Sequence, residues 1–217
     1  MQILVPPGVY RPDGDTRMLA RLVDSEPQLS GARVLDLCTG SGAVALTAAR
    51  AGARDVEAVD VSRKAVAAAR LNAALNRVKV RVHRGDLFGP VNGRRFDLVV
   101  SNPPYVPGDD ELPTRGPSRA WEGGERGRRL IDRVVAGAPD HLRPGGSLMV
   151  VQSSICGADE TLEAMGRAGL RAELVGSETS PLGPLFTARV RQLESAGLLE
   201  PGQRHEEIVV IRGRAAQ

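Results

Sequence analysis

The stretch ARVLDLCTGSGAVALTAARAG, residues 32–52, does most to limit the folds open to this chain. ARVLDL is a short apolar run with the length of a buried strand. AVALTAARAG is rich in helix formers and ends at Gly52. Gly40 and Gly42 lie between them, so the chain passes from strand to helix through one tight turn. A helix that leaves a strand this abruptly packs back on the sheet and returns to a parallel neighbour by a right-handed crossover. DVEAVD, residues 55–60, is that neighbour.

The alternation continues. SRKAVAAARLNAALN is a long Ala-rich helix capped by Ser62, VKVRVHR a third strand and FDLVVS a fourth. A loop of prolines and glycines fills Val106 to Gly124. ERGRRLIDRVVAGA then has helical spacing, GGSLMVV is a fifth strand, ADETLEAMGRAG a helix and RAELVGSE a sixth strand. LFTARVRQLESAG is expected to be helical, and HEEIVVIRG closes the chain as a strand inserted antiparallel near the sheet edge. The expected fold is α/β: a Rossmann-like, doubly wound, mostly parallel seven-stranded sheet with helices on both faces and the last strand antiparallel. Residues 1–30 form an extension, turn-rich up to Thr16. Asp15 or Thr16 there caps a short helix with Met18, Leu19, Leu22 and Val23 on its apolar side. Residues 31–217 form the main domain.

Composition adds bounds. Aromatic residues make up only 3% of the chain, so Val, Leu and Ala must build the core. The formal charge of +3 is carried almost wholly by Arg, with Lys64 and Lys79 the only lysines. That weakly basic balance suits RNA, a ribosome or an acidic protein without selecting among them. Cys38 and Cys156 are too few for a disulfide framework. No apolar run approaches a membrane span, and the N-terminus lacks the regions of a signal peptide, so a cytoplasmic location is expected.

Chemistry concentrates at the sheet's carboxyl edge, where open α/β sheets bind ligands. Gly40 and Gly42 let a ligand approach the backbone, and Asp60 ends the next strand about 20 residues later, the spacing of a carboxylate that bonds ribose hydroxyls. A plain tight turn would also use the glycines, and with Ala45 they fit a dinucleotide fingerprint. Asp36, inside the strand before the loop, would repel a pyrophosphate and instead suits a ligand end bearing an ammonium. Asp86-Leu87-Phe88 follows the third strand and offers an acceptor and an apolar wall for an adenine.

Asn102-Pro103-Pro104-Tyr105 ends the fourth strand. Two prolines remove two backbone donors and stop the ladder, leaving an amide, free carbonyls and a ring together. An amide or aniline-like nitrogen is a poor nucleophile because its lone pair is delocalised. The Asn102 side-chain oxygen and the Pro103 carbonyl can draw its two hydrogens out of plane, and Tyr105 can stack on the flat group. Catalysis would then be positioning and electrostatics, with no strong base. As simple structure, Asn-Pro is an Asx turn.

At these residues the chain resembles the class I S-adenosylmethionine-dependent methyltransferases, from about Tyr10 to Arg212. Asn-Pro-Pro-Tyr is shared by adenine-amine methyltransferases and by the HemK-type glutamine methyltransferases of release factors. VYRPDGDTRML, DLCTGSG and WEGGERGRRLIDRV resemble the HemK side, in its short branch without the N-terminal helical bundle. The resemblance implies that Asp36, Gly40 and Gly42 line the methionine and ribose of S-adenosylmethionine. It puts Asp60 on the ribose hydroxyls, Val61 against the adenine, and Asp86 and Leu87 at the adenine edge. Residues 1–30, through the Thr16 region, cover the cofactor. Asn102, Pro103, Pro104 and Tyr105 hold the acceptor, and Trp121 shapes the substrate loop or anchors it. It further implies a glutamine of Gly-Gly-Gln in a release factor as acceptor and a small zinc-binding activator subunit as partner.

Other readings stay open: an adenine-amine methyltransferase on RNA or DNA, a protein-lysine or small-molecule methyltransferase, a non-catalytic cofactor-binding scaffold and a nicotinamide oxidoreductase. His83, His141 and His205 lack ligand spacing, so no metal site is expected. Cys38 is expected to pack, Glu206 and Glu207 to form a solvated edge, and Arg126, Arg128 and Arg129 to line a helix's wet face.

Overall fold

The computed structural model describes residues 1–109, 111–114 and 116–217; positions 110 and 115 of the expected Val106–Gly124 loop lie outside the described residues. Strands β1 (Arg33–Leu37), β2 (Asp55–Asp60), β3 (Arg81–Arg84), β4 (Phe96–Ser101), β5 (Leu142–Ser153), β6 (Arg171–Pro181) and β7 (His205–Arg214) form one sheet. Their order is β3-β2-β1-β4-β5-β7-β6. β1 pairs in parallel with β2 and β4, as β2 does with β3 and β4 with β5. β7 slots antiparallel between β5 and β6, as expected. The strand order reverses between β1 and β4, and the loops after these strands open a crevice at the carboxyl edge.

Side-chain alternation along β1 sends Val34 to one face and Leu35 and Leu37 to the other. On the first face Val34, Val56 and Val100 pack with α1 (Gly14–Asp24), α2 (Ala43–Arg50) and α3 (Arg63–Leu75). On the second, Leu35, Val99 and Leu148 pack with α4 (Arg129–His141) and α5 (Ala158–Arg167). Met18, Leu19 and Val23 of α1 are buried in the same cluster as the strands, so this helix is part of the sheet's cover. Before it, the chain runs along α3. Asn72 and Asn76, one helical turn apart, each accept from and donate to that segment's backbone, at Leu4 and Gln2.

Three local expectations are corrected. α1 starts at Gly14 after Asp13, and neither Asp15 nor Thr16 caps it; both are buried side chains turned to other work. The expected helix over LFTARVRQLESAG divides into α6 (Pro184–Thr187) and α7 (Val190–Ser195). Between them the Arg189 side chain donates to Glu122 at 2.9 Å, tying the junction to the loop before α4. Arg128 is no wet-face residue: it is buried and donates to the Cys156 and Gly157 carbonyls at 2.6 and 2.7 Å, whereas Arg126 is exposed and pairs with Glu160.

Candidate active site

A cleft of about 390 Å³ opens where β1, β2 and β4 end. Its floor is the glycine loop. Gly40 has φ +54°, and a Cβ there would meet nothing within 4 Å, so its backbone lies open to whatever fills the cleft. Gly42 is closed instead: a Cβ would come within 3.1 Å of Ala69, so the glycine lets α2 pack on α3.

Two carboxyl groups flank the loop. Asp36 is 2% exposed and its Oδ2 accepts from Thr39 Oγ1 at 2.6 Å and Ala45 N at 3.1 Å. Burial pushes its carboxyl up to about 7; the bonds from Thr39 and Ala45 pull it back and Asp60 adds to the rise. Asp60 Oδ2 accepts from Gly40 N at 2.9 Å and Oδ1 from Ser62 N at 2.8 Å, which hold the group upright with acceptor capacity to spare. Burial raises Asp60 as well, while the Ser62 and Gly40 N–H groups lower it. Val59, Val61 and Leu87 supply apolar walls nearby, and Asp86 lines the same end while accepting from Arg133 at 2.5 Å. Cys38 also lines the cleft, with burial raising its thiol, so it is no thiolate nucleophile.

The other end is built on Asn102-Pro103-Pro104-Tyr105, and the structure brings α1 against it. Asp15 Oδ1 accepts from the Thr16 N–H at 2.5 Å and its hydroxyl at 3.2 Å, and Oδ2 accepts from Tyr105 Oη at 2.9 Å. Asn102 Nδ2 donates to Thr16 Oγ1 at 2.9 Å. A carboxylate can only accept, so the Thr16 hydroxyl points its hydrogen at Asp15 and offers a lone pair to Asn102. That fixes the Asn102 amide with its nitrogen engaged and its Oδ1 left as an acceptor. Burial, then Asp15, raises the Tyr105 phenol well above its ordinary range, so it stays neutral.

Asp15 was missed as a site residue, and so was Glu206. Glu206, expected on a solvated edge, is 6% exposed and lines the cleft, because β7 runs antiparallel and its start reaches the carboxyl edge. Burial raises its carboxyl, against the lowering pull of the Ser153 hydroxyl and the Gly183 N–H. Its neighbour Glu207 is exposed, as expected. Trp121, from the loop after the clamp, lines the cleft too, and Val106 N donates to its carbonyl at 2.7 Å. Thr16, Asp36, Gly40, Asp60, Val61, Asp86, Leu87, Asn102, Pro103, Pro104, Tyr105 and Trp121 thus share one cleft; Gly42 sits behind its wall. His141 lies elsewhere, stacked on Phe88 at 4.3 Å.

Comparison with known proteins places the chain in a family. The Methyltransferase small domain family matches residues 1–115. A putative protein N5-glutamine methyltransferase of Methanocaldococcus jannaschii is 34% identical over 195 residues, 89% of this chain and 96% of that protein. The chain belongs to the HemK-type glutamine methyltransferases. A ribosomal protein uL3 glutamine methyltransferase of Bradyrhizobium diazoefficiens is 42% identical over 125 residues, 54% of this chain and 39% of that one. A release factor glutamine methyltransferase of Gloeobacter violaceus is 40% identical over 159 residues, 68% of this chain and 55% of that one. The chain therefore spans nearly all of the archaeal relative but about half or less of these bacterial ones. Among solved structures, the E. cuniculi Mtq2–Trm112 complex superposes with a TM-score of 0.66 at 23% identity, over 96% of this chain and 99% of that one. That complex is responsible for methylation of the eRF1 translation termination factor.

This methyltransferase is S-adenosylmethionine-dependent, and the donor set of the cleft fits that cofactor. A buried acid raised to about 7 suits an ammonium, the Asp60 carboxylate beside the Gly40 N–H suits a vicinal diol, and Val59, Val61 and Leu87 suit an aromatic base. Among the described residues no helix is long and apolar enough to cross a membrane.

Proposed function

We propose that the chain methylates the side-chain amide nitrogen of a protein glutamine, the best-supported acceptor being the Gly-Gly-Gln glutamine of a peptide chain release factor. The observation that carries this reading is the Asp15–Thr16–Asn102 relay, which leaves Asn102 Oδ1 as an acceptor at the mouth of the cleft. Bound S-adenosylmethionine supplies a methyl group on a sulfonium, an electrophile that needs only a well-placed nucleophile. Asp36 holds the cofactor's ammonium, Gly40 and Asp60 its ribose, Val61, Asp86 and Leu87 its adenine, and residues 1–30 close over it. Asn102 Oδ1 and the Pro103 carbonyl each accept one N–H of the acceptor amide, turning its lone pair out of conjugation. Tyr105 keeps the plane of the clamp fixed by its bond to Asp15. The amide nitrogen gains a methyl group and loses one proton, which leaves to solvent.

Charge favours a protein over a nucleic acid. Six carboxyl groups line the cleft (Asp13, Asp15, Asp36, Asp60, Asp86 and Glu206), and Arg119 is the single basic residue doing so among the described residues. The cleft thus offers almost no cationic group to neutralise a phosphate backbone. The likeness to Mtq2–Trm112 supports a small activator subunit as partner, and the bacterial relatives make a ribosomal protein the second acceptor to try. The test offers labelled S-adenosylmethionine with four acceptors: a release factor carrying Gly-Gly-Gln, the same factor with that glutamine replaced, ribosomal protein uL3, and total RNA. Label on the intact factor alone is expected; label on RNA, or on the glutamine-replaced factor, overturns the assignment.

A further inference from the structure

Among the described residues three buried side-chain polar atoms have no hydrogen-bond partner: Arg33 Nε, Trp121 Nε1 and Glu206 Oε2. The last two belong to residues that line the active-site cleft. They are also complementary, since an indole N–H only donates and a carboxylate oxygen only accepts. Leaving such groups buried and unpaired carries a cost that a native fold does not meet without a reason. Glu206 is not loose: its Oε1 accepts from Gly183 N at 3.2 Å, which holds the start of α6 on β7, and the Ser153 hydroxyl lies against the same carboxyl, while Oε2 has no partner within hydrogen-bond reach. Trp121 is held by backbone bonds on both sides, its own N–H donating to Ser118 O at 3.0 Å and its carbonyl accepting from Val106 N. Trp121 packs on the apolar cluster that includes Phe186, and Phe186 lines the same cleft.

A peptide unit presents one N–H and one C=O. We propose that Glu206 Oε2 and Trp121 Nε1 form a main-chain subsite, in which Glu206 accepts an N–H and Trp121 donates to a C=O of the polypeptide that carries the acceptor. This rests on the protein-glutamine reading above and adds how the segment around the glutamine is held. The reacting amide has two hydrogens, and Asn102 Oδ1 with the Pro103 carbonyl accounts for both, so a further buried acceptor is matched to a donor outside that amide. Glycine-flanked glutamine offers only main-chain N–H groups there. The subsite reads a feature that any polypeptide has, and its task is to fix the approach of the segment, leaving the choice of side chain to the clamp.

The test compares wild type with Glu206→Gln and Trp121→Phe on intact release factor, measuring KM for the factor, kcat, cofactor Kd and Tm. The Glu206→Gln side chain keeps an oxygen for Gly183 N and turns an NH₂ to the unpaired position, so fold is preserved while acceptor becomes donor. KM for the factor is expected to rise about tenfold to a hundredfold in Glu206→Gln and about two- to tenfold in Trp121→Phe, with cofactor Kd and Tm unchanged. A release factor whose residue after the glutamine is replaced by proline lacks one main-chain N–H. If Glu206 reads that N–H, this substrate is poor for wild type, and the Glu206→Gln variant loses little further on it. Unchanged KM in both variants overturns the subsite, as does an equal loss of cofactor affinity. No transfer by wild type to either factor, assayed with the activator subunit proposed above, overturns the functional reading, and the subsite with it.

Discussion

At Asp36 two demands meet. Burial lifts its carboxyl from 3.8 to about 7, so the folded chain holds a proton that the unfolded chain has already released. Between those two values the folded state binds more protons, and stability falls as pH rises through that window, levelling above it. Asp36→Asn removes this titration. The variant is expected to melt higher than wild type above pH 7 and to match it below about pH 4, in thermal melts without cofactor. Cofactor affinity should move the other way. In the proposed function ionised Asp36 faces the ammonium, so wild-type affinity is expected to rise with pH up to about 7, whereas the variant is expected to bind about tenfold to a hundredfold more weakly with no such rise. A variant that binds as tightly as wild type at pH 8 would mean the ammonium sits elsewhere. Asp60→Ala should likewise weaken binding, and titration calorimetry reads both. That Asp36, Asp60 and Asn102–Tyr105 would share one cleft was legible in sequence, because all stand in or just after strands at the sheet's carboxyl edge. Asp15 was not, since nothing in YRPDGDTRML says that its carboxyl reaches Tyr105, 90 positions on.

At the scale of elements, the clamp depends on two supports brought from far along the chain. α1 supplies Asp15 and Thr16. Asp15→Ala frees the Thr16 hydroxyl to turn, so Asn102 loses its fixed orientation. Turnover is expected to fall about tenfold to a thousandfold with little change in cofactor Kd, a split that lost packing alone would not produce. The second support is the turn before α4. Gly127 has φ +72°, and a Cβ there would lie 2.1 Å from the Tyr105 carbonyl oxygen and 2.8 Å from Cys156 Sγ. Gly127→Ala must therefore push the clamp, costing about 1–3 kcal/mol in denaturant unfolding together with a loss of turnover. Unaltered kinetics in that variant would detach the turn from the clamp. Strand and helix order was legible because β1, β2 and β4 are short runs alternating with helical stretches and α3 carries its own Ser62 cap, whose hydroxyl accepts from Ala65 N. The break between α6 and α7 was not legible: no Gly or Pro stands at the junction, where Arg189 pairs with Glu122, 67 residues away.

The whole molecule separates its charges. A chain with a formal charge of +3 lines its functional cleft with acids and leaves most of its arginines elsewhere, so the overall charge says little about what enters. The same separation explains why composition could not choose between RNA and protein while the assembled site leans to protein. Around that cleft the order β3-β2-β1-β4 brings three strand ends together, and the antiparallel β7 adds Glu206 from the far end of the chain. In the proposed function this cleft divides into a cofactor end and an amide clamp with separate duties. Measuring cofactor Kd and single-turnover methyl transfer side by side, for wild type and Asn102→Ala, tests that division most directly. Kd is expected to stay within about threefold and the transfer rate to fall by about a hundredfold or more. Losses of similar size in both, or a transfer rate that survives, would contradict it.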